Sequence, residues 1–225
     1  GGFFGMAIGF ASFVTVIPLF ISTMTDSAIL IGLIPAVHNL GWQFPQLLMA
    51  ERVSRLRRYK PMVLWLTIQE RIPFLGFALV AWIVPYLGHR SDLWITYFLL
   101  IWQSLGAGLT ANPWQNLIAK IIPPEMRGTF LGAQASIGNA LSSVGAVLAG
   151  LILEKAASPL DYVSCFLLAS LCMAISWFFL ALTREPEGAA APQHDETTSF
   201  WIKTSRILGQ DTFFRWFIFV RIALS

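Results

Sequence analysis

Two groups of side chains in this sequence could do chemistry in an apolar setting. The first is Gln69-Glu70-Arg71, a polar triplet in a run otherwise rich in Leu, Phe, Ile and Val. The second is a set of amides: Asn39, Gln43 and Gln46 at intervals of four and three, with Gln103 and Asn139 in later apolar runs. A carboxylate, a guanidinium and amides at such spacing bind and orient polar solutes, or they clamp helices together. They are not a set for covalent catalysis. HExxH, CxxC, GxSxG, GxGxxG and P-loop patterns do not occur, and His38, His89 and His194 lie too far apart to read as metal ligands. The sequence therefore predicts no enzyme, no metal and no cofactor. His38, alone in its apolar run, reads as a hydrogen-bonded core residue, and His194 as a solvated one.

The elements that must position these residues are membrane spans. Apolar residues make up 56% of the chain and charged ones only 12%, against about 25% charged in soluble domains. Six apolar runs, near 1–22, 28–50, 61–87, 93–117, 128–153 and 162–183, each clear the ~20 residues a spanning helix needs. The opening run lacks a basic leader and is followed by more spans, so it reads as a span and not a signal peptide. Between runs two and three, Glu51–Lys60 holds five of the fifteen Lys and Arg. Basic loops stay on the cytoplasmic side. With the second, fourth and sixth connections inside, eleven of the fifteen lie inside, so the amino terminus is expected to be cytoplasmic. This explains the net charge of +3 without a nucleic-acid partner. Cys165 and Cys172 fall about 10 Å apart along a helix, too far to bridge, and read as free thiols. The chain starts without Met and stops inside an apolar run, so it is expected to be a fragment. Residues 1–183 read as a six-helix unit and 184–199 as a flexible cytoplasmic linker. Residues 200–212 read as an interfacial helix or more linker, and 213–225 as the start of a truncated seventh span.

Polar and small residues at helical spacing mark interior faces. Span two carries Gly32, Pro35, Asn39, Gln43 and Gln46; span four carries Ser104, Gly108, Asn112 and Gln115. Span five carries Gly128, Gly132, Ala135, Asn139, Ser143, Ala146 and Gly150. The ridge on span five reads as tight packing, while the amides fit a wet cavity or interhelical bonds equally. Glu70 and Arg71 sit some ten residues from the basic end of span three, near the bilayer middle, where charge is costly and paired or functional. Adjacent residues point about 100° apart, so the two cannot share a partner. Depth counting sets Arg71 beside Asn39 and Gln43 and predicts hydrogen bonds to Asn39, Gln43 or Gln103. A structural clamp and a transport-linked charge both remain open.

Six spans, a basic loop between spans two and three, a PPEMRG turn before a Gly-rich fifth span and a polar linker to a seventh run resemble the amino-terminal half of a major facilitator superfamily transporter. Glu51-Arg52 stands at the acid-base pair of that family's loop, with Arg55, Arg57 and Arg58 at its basic cluster. Ser54 and Leu47 replace the usual glycines. Arg127-Gly128 with Gly132 is similar to the family's opening of span five. The resemblance implies an all-α bundle of two inverted three-helix repeats, working with a carboxy-terminal half around a midplane site. It also implies a cavity lined by spans one, two, four and five, with Asn39, Gln43, Gln46, Gln103 and Asn139 as its polar residues. Glu51, Arg52, Arg55, Arg57, Arg58 and Arg127 would then form the inner gate. The implied activity is secondary transport of a small molecule across the inner or plasma membrane, with substrate, lipid and the second half as partners. A non-transporting scaffold or receptor of the same layout is the rival reading.

Overall fold

The first apolar run breaks in the middle, and Pro18 is the reason. Proline has no N–H and its ring clashes with the carbonyl four residues back, here Val14. The run accordingly folds as α1 (Gly2–Phe10) and α2 (Val16–Ser22), joined by an interruption at 11–15. Pro18 then sits in the first turn of α2, where a missing N–H costs nothing. Ser12 makes the break tolerable: its Oγ accepts from the backbone N–H of Val14 and Thr15, both at 3.2 Å. The single span expected over 1–22 is thus two short helices.

The structure is a computed structural model that describes residues 1–54, 56–84 and 89–186, with Gly209, Trp216 and Val220. For Glu51, Ser54, His89 and Arg90 only the backbone is described. Residues 1–188 form one compact unit and Ala189–Ser225 a second, in which the three described positions are helical. Arg55, most of the 184–199 linker, and the expected interfacial helix and seventh span therefore lie outside the described residues, those three positions excepted.

Among the described residues five longer helices follow the first two: α3 (Ala28–Ser54), α4 (Lys60–Ile83), α5 (His89–Ile121), α6 (Pro124–Lys155) and α7 (Leu160–Leu182). No strand occurs among the described residues. Among the described residues four helices (α4, α5 from Ser91, α6 and α7) are long and apolar enough to cross a membrane. At 27 residues α3 is also long enough, about 40 Å, but its amides and His38 dilute its apolar character. The protein is a multi-pass membrane protein.

Helix α1 packs on α6 and α7, α5 packs on α3 and α4, and α4 packs on α7. An aromatic cluster forms the core between the interruption, α2, α4 and α7. In it Phe74 meets Phe13 and Phe77 edge-on, and Phe77 and Phe166 lie 5.5 Å apart. Where α1 meets α6, backbones touch: a Cβ on Gly145 would fall 2.5 Å from Met6 O. Small residues permit this approach, but they are not the predicted ridge. Gly145 and Ala149 are the buried positions of α6, whereas Gly128, Gly132, Ala135, Asn139, Ser143, Ala146 and Gly150 are not buried. So many small residues surround this helix that two stripes are available, and Gly5 and Gly9 of α1 select the other one.

Candidate functional site

The mid-depth charges sit where α4 meets two neighbours. Glu70 is buried, at 5% exposure, and its backbone lies against Gly106 of α5, where a Cβ would approach Glu70 N at 3.0 Å. Arg71 points elsewhere. Its Nε donates to Met173 O on α7 at 3.1 Å and its Nη1 to Thr67 O, one turn back, at 2.8 Å. The expected bonds to Asn39, Gln43 or Gln103 are not made. Depth counting gives the level of a residue on its helix, not the side it faces, and the turn from Glu70 to Arg71 takes the guanidinium toward α7. The two charges still meet at 4.0 Å, a long contact between side chains that diverge from adjacent positions.

Both charges line a cavity of about 670 Å³ that receives residues from α1, α3, α4, α5, α6 and α7. Its walls include Trp42, Trp114, Phe130 and Phe179, and its polar groups include Thr67, Thr110, Gln115, Gln134 and Ser176. An aromatic-walled space with a carboxylate and a guanidinium can hold a small polar solute or water.

None of the five sequence-predicted cavity residues lines this space. Asn39 and Gln43 are exposed on α3, and Asn139 is exposed on α6. Gln46 turns back on its own helix, its Nε2 donating to Trp42 O at 2.8 Å, while its backbone carbonyl accepts from Asn112 of α5. Gln103 is buried, at 1% exposure, and its Oε1 has no hydrogen-bond partner. It lies beside His38, whose Nδ1 is 3.1 Å from Ser104 Oγ. His38 is thus hydrogen-bonded, as its sequence context predicts.

At the basic end, a cluster that sequence reasoning missed ties three segments together. Glu185, which follows α7, accepts from the backbone N–H of Tyr59 and Lys60 at 3.0 and 2.9 Å and so caps α4. Lys120, in the last turn of α5, donates to Glu185 Oε1 at 2.8 Å and to Arg57 O at 3.0 Å. Burial alone would raise the Glu185 carboxyl. Hydrogen bonds from Lys120 and the two amides outweigh it and hold the group below its ordinary range. The segment read as flexible linker, 184–199, is therefore anchored at its second residue. The signal available in the sequence was an acid on either side of Pro186, Glu185 and Glu187, after a basic helix end, which is weak.

Among the predicted gate residues, Arg52, Arg57 and Arg58 are exposed, and Arg55 and the Glu51 side chain are not described. Arg127 acts locally. Its Nε and Nη2 donate to Ile122 O and Ala119 O, covering carbonyls at the α5 C-terminus that lack intrahelical partners.

No group of three or more His, Cys, Asp or Glu able to hold a metal occurs among the described residues. No curated protein and no solved structure matches the chain. The family model described as Major Facilitator Superfamily matches residues 65–225, most of the chain, with α5, α6, α7 and most of α4. The chain belongs to the Major Facilitator Superfamily of membrane transporters.

Proposed function

We propose that this chain is the amino-terminal half of a secondary transporter that carries a small molecule by alternating access. Its six spans are read as two inverted three-helix repeats: α1–α2, α3 and α4, then α5, α6 and α7. The observation that carries this reading is the set of main packing partners. Exchanging the two triplets turns α1 on α6 into α5 on α3, and α1 on α7 into α5 on α4; α4 on α7 maps onto itself. Any two-fold relation between the triplets requires that pairing, and an inverted repeat is one such relation. The exposed amides Asn39, Gln43 and Asn139 support a path running between α3, α6 and a second half, with Gln46 and Gln103 set behind it. The 51–60 loop is read as cytoplasmic, in the inner or plasma membrane, and Arg52, Arg57 and Arg58 as the inner gate.

Because the path needs both halves, residues 1–225 reconstituted alone in liposomes should take up no substrate that the longer protein transports. Uptake at the longer protein's rate by this chain alone would overturn the proposal.

A further inference from the structure

The interruption in span one is stacked on an ionisable side chain. Phe13, inside the 11–15 segment, lies over the His38 ring with centroids 3.8 Å apart and planes 12° from parallel. On the opposite helix the Ser104 hydroxyl donates its only proton to Leu100 O at 2.7 Å. It can therefore only accept from His38, and this places the imidazole hydrogen on Nδ1. Neutral His38 then presents a bare Nε2. The buried Gln103 beside it has an Oε1 acceptor without a donor. One proton would satisfy both, because an imidazolium donates from both nitrogens.

We propose that His38 is a proton-binding site, held by Ser104 and read by Gln103, that couples the bound proton to the interruption of span one through Phe13. The proposal deepens the transporter reading, on which it rests, by naming the proton as the ion that acts on this half. Protonation would form Nε2–H···Oε1 to Gln103 and add a cation to the face of the Phe13 ring, an attractive arrangement. Segment 11–15 would then be held more tightly against α3 and α5. Its backbone is free to respond because Pro18 has already broken the helix there.

The charged and titratable surroundings are sparse. Segment 11–15 and α2 bring no titratable group. On α5, Tyr97 is committed to Leu30 O. On α4, Glu70 lies at Gly106, one turn beyond Gln103 toward the basic end.

The test is nitrogen-15 histidine NMR on the whole protein in lipid nanodiscs, with His38 assigned by the resonance lost in His38→Gln. Between about pH 8 and about pH 5, the ordinary histidine range, His38 should pass from the Nδ1–H tautomer to imidazolium while the protein stays folded. Gln103→Leu should lower the ratio of protonated to neutral His38 at the midpoint pH about tenfold, one pH unit of lost stabilisation. Hydrogen exchange at 11–15 should be slower in the wild type than in His38→Gln, and the difference should be larger at low pH than at high pH. A neutral His38 throughout, or a titration untouched by Gln103→Leu, would overturn the proposal. Failure of the uptake experiment above would leave these spectra unchanged, so the two readings fail separately.

Discussion

Replacing Glu185 with Ala removes the acceptor that joins the start of α4, the end of α5 and the residues after α7. Its carboxylate receives three hydrogen bonds, at 2.8, 2.9 and 3.0 Å, and its side chain is only 5% exposed. A bond to a charged group contributes about 1.5–3 kcal/mol. Water can replace part of that at a helix end, so the expected net loss is roughly 2–3 kcal/mol. For a chain of this size that is a fall of about 5–10 °C in apparent Tm. Cys165 and Cys172 are buried thiols, so a thiol-reactive dye in detergent reports their exposure on heating. Lys120→Met should lower Tm as well, and the double variant should lose clearly less than the two single losses combined. The pH dependence follows from the depressed carboxyl. A group whose folded value is lowered stabilises above its unfolded value and loses that contribution as pH falls through the folded one. The difference between wild type and Glu185→Ala should therefore be full at neutral pH and begin to shrink only below the ordinary value of 4.5. A change of less than about 1 °C on Glu185→Ala, smaller than any of the three bonds should produce, would refute the latch.

Other outcomes follow from the same geometry. Gly145→Val should cost several °C, because its side chain would meet Met6 O. Gly150→Ala, with open space around it, should be neutral or gain up to about 1 kcal/mol from helix propensity. Arg71→Leu leaves Glu70 without its cation and should lose about 3 kcal/mol, whereas adding Glu70→Gln should restore most of it; equal Tm values for the single and double variants would contradict the pairing. Arg52→Ala should slow turnover and leave substrate binding nearly unchanged, and a large loss of affinity would remove it from the gate. A cysteine at Asp26 should react with an impermeant reagent in intact cells and one at Arg57 only after permeabilisation; the reverse pattern would invert the topology.

Much of the architecture is legible in the residues, because spans need length and apolar content and loops need charge. What escaped is set by partners distant in sequence. Pro18 and Ser12 are plain to read, yet a proline kinks or breaks a helix according to whether the freed backbone groups find acceptors and donors. Here Ser12 Oγ supplies one such partner. Span five offers two small-residue stripes, and only the glycines of α1 choose between them. Arg71 shows the limit of counting along a helix, since depth does not give direction. Glu185 meets Tyr59 across 126 positions, and no local pattern announces that bond. The orphaned acceptor of Gln103 likewise exists only once α3 and α5 are packed together.

The transport proposal predicts one contrast: the exposed amide faces of α3 and α6 should border a water-accessible path, and other exposed positions should face lipid. Single cysteines at Asn39 and Asn139, in a background lacking Cys165 and Cys172, can be compared with cysteines at the exposed Leu79 and Leu171. The whole protein, in sealed vesicles of known orientation, would be treated with a membrane-impermeant thiol reagent from each side in turn. The two amide positions should react from either side and the two leucine positions from neither. Equal reaction at all four, or reaction at the leucine positions alone, would contradict it.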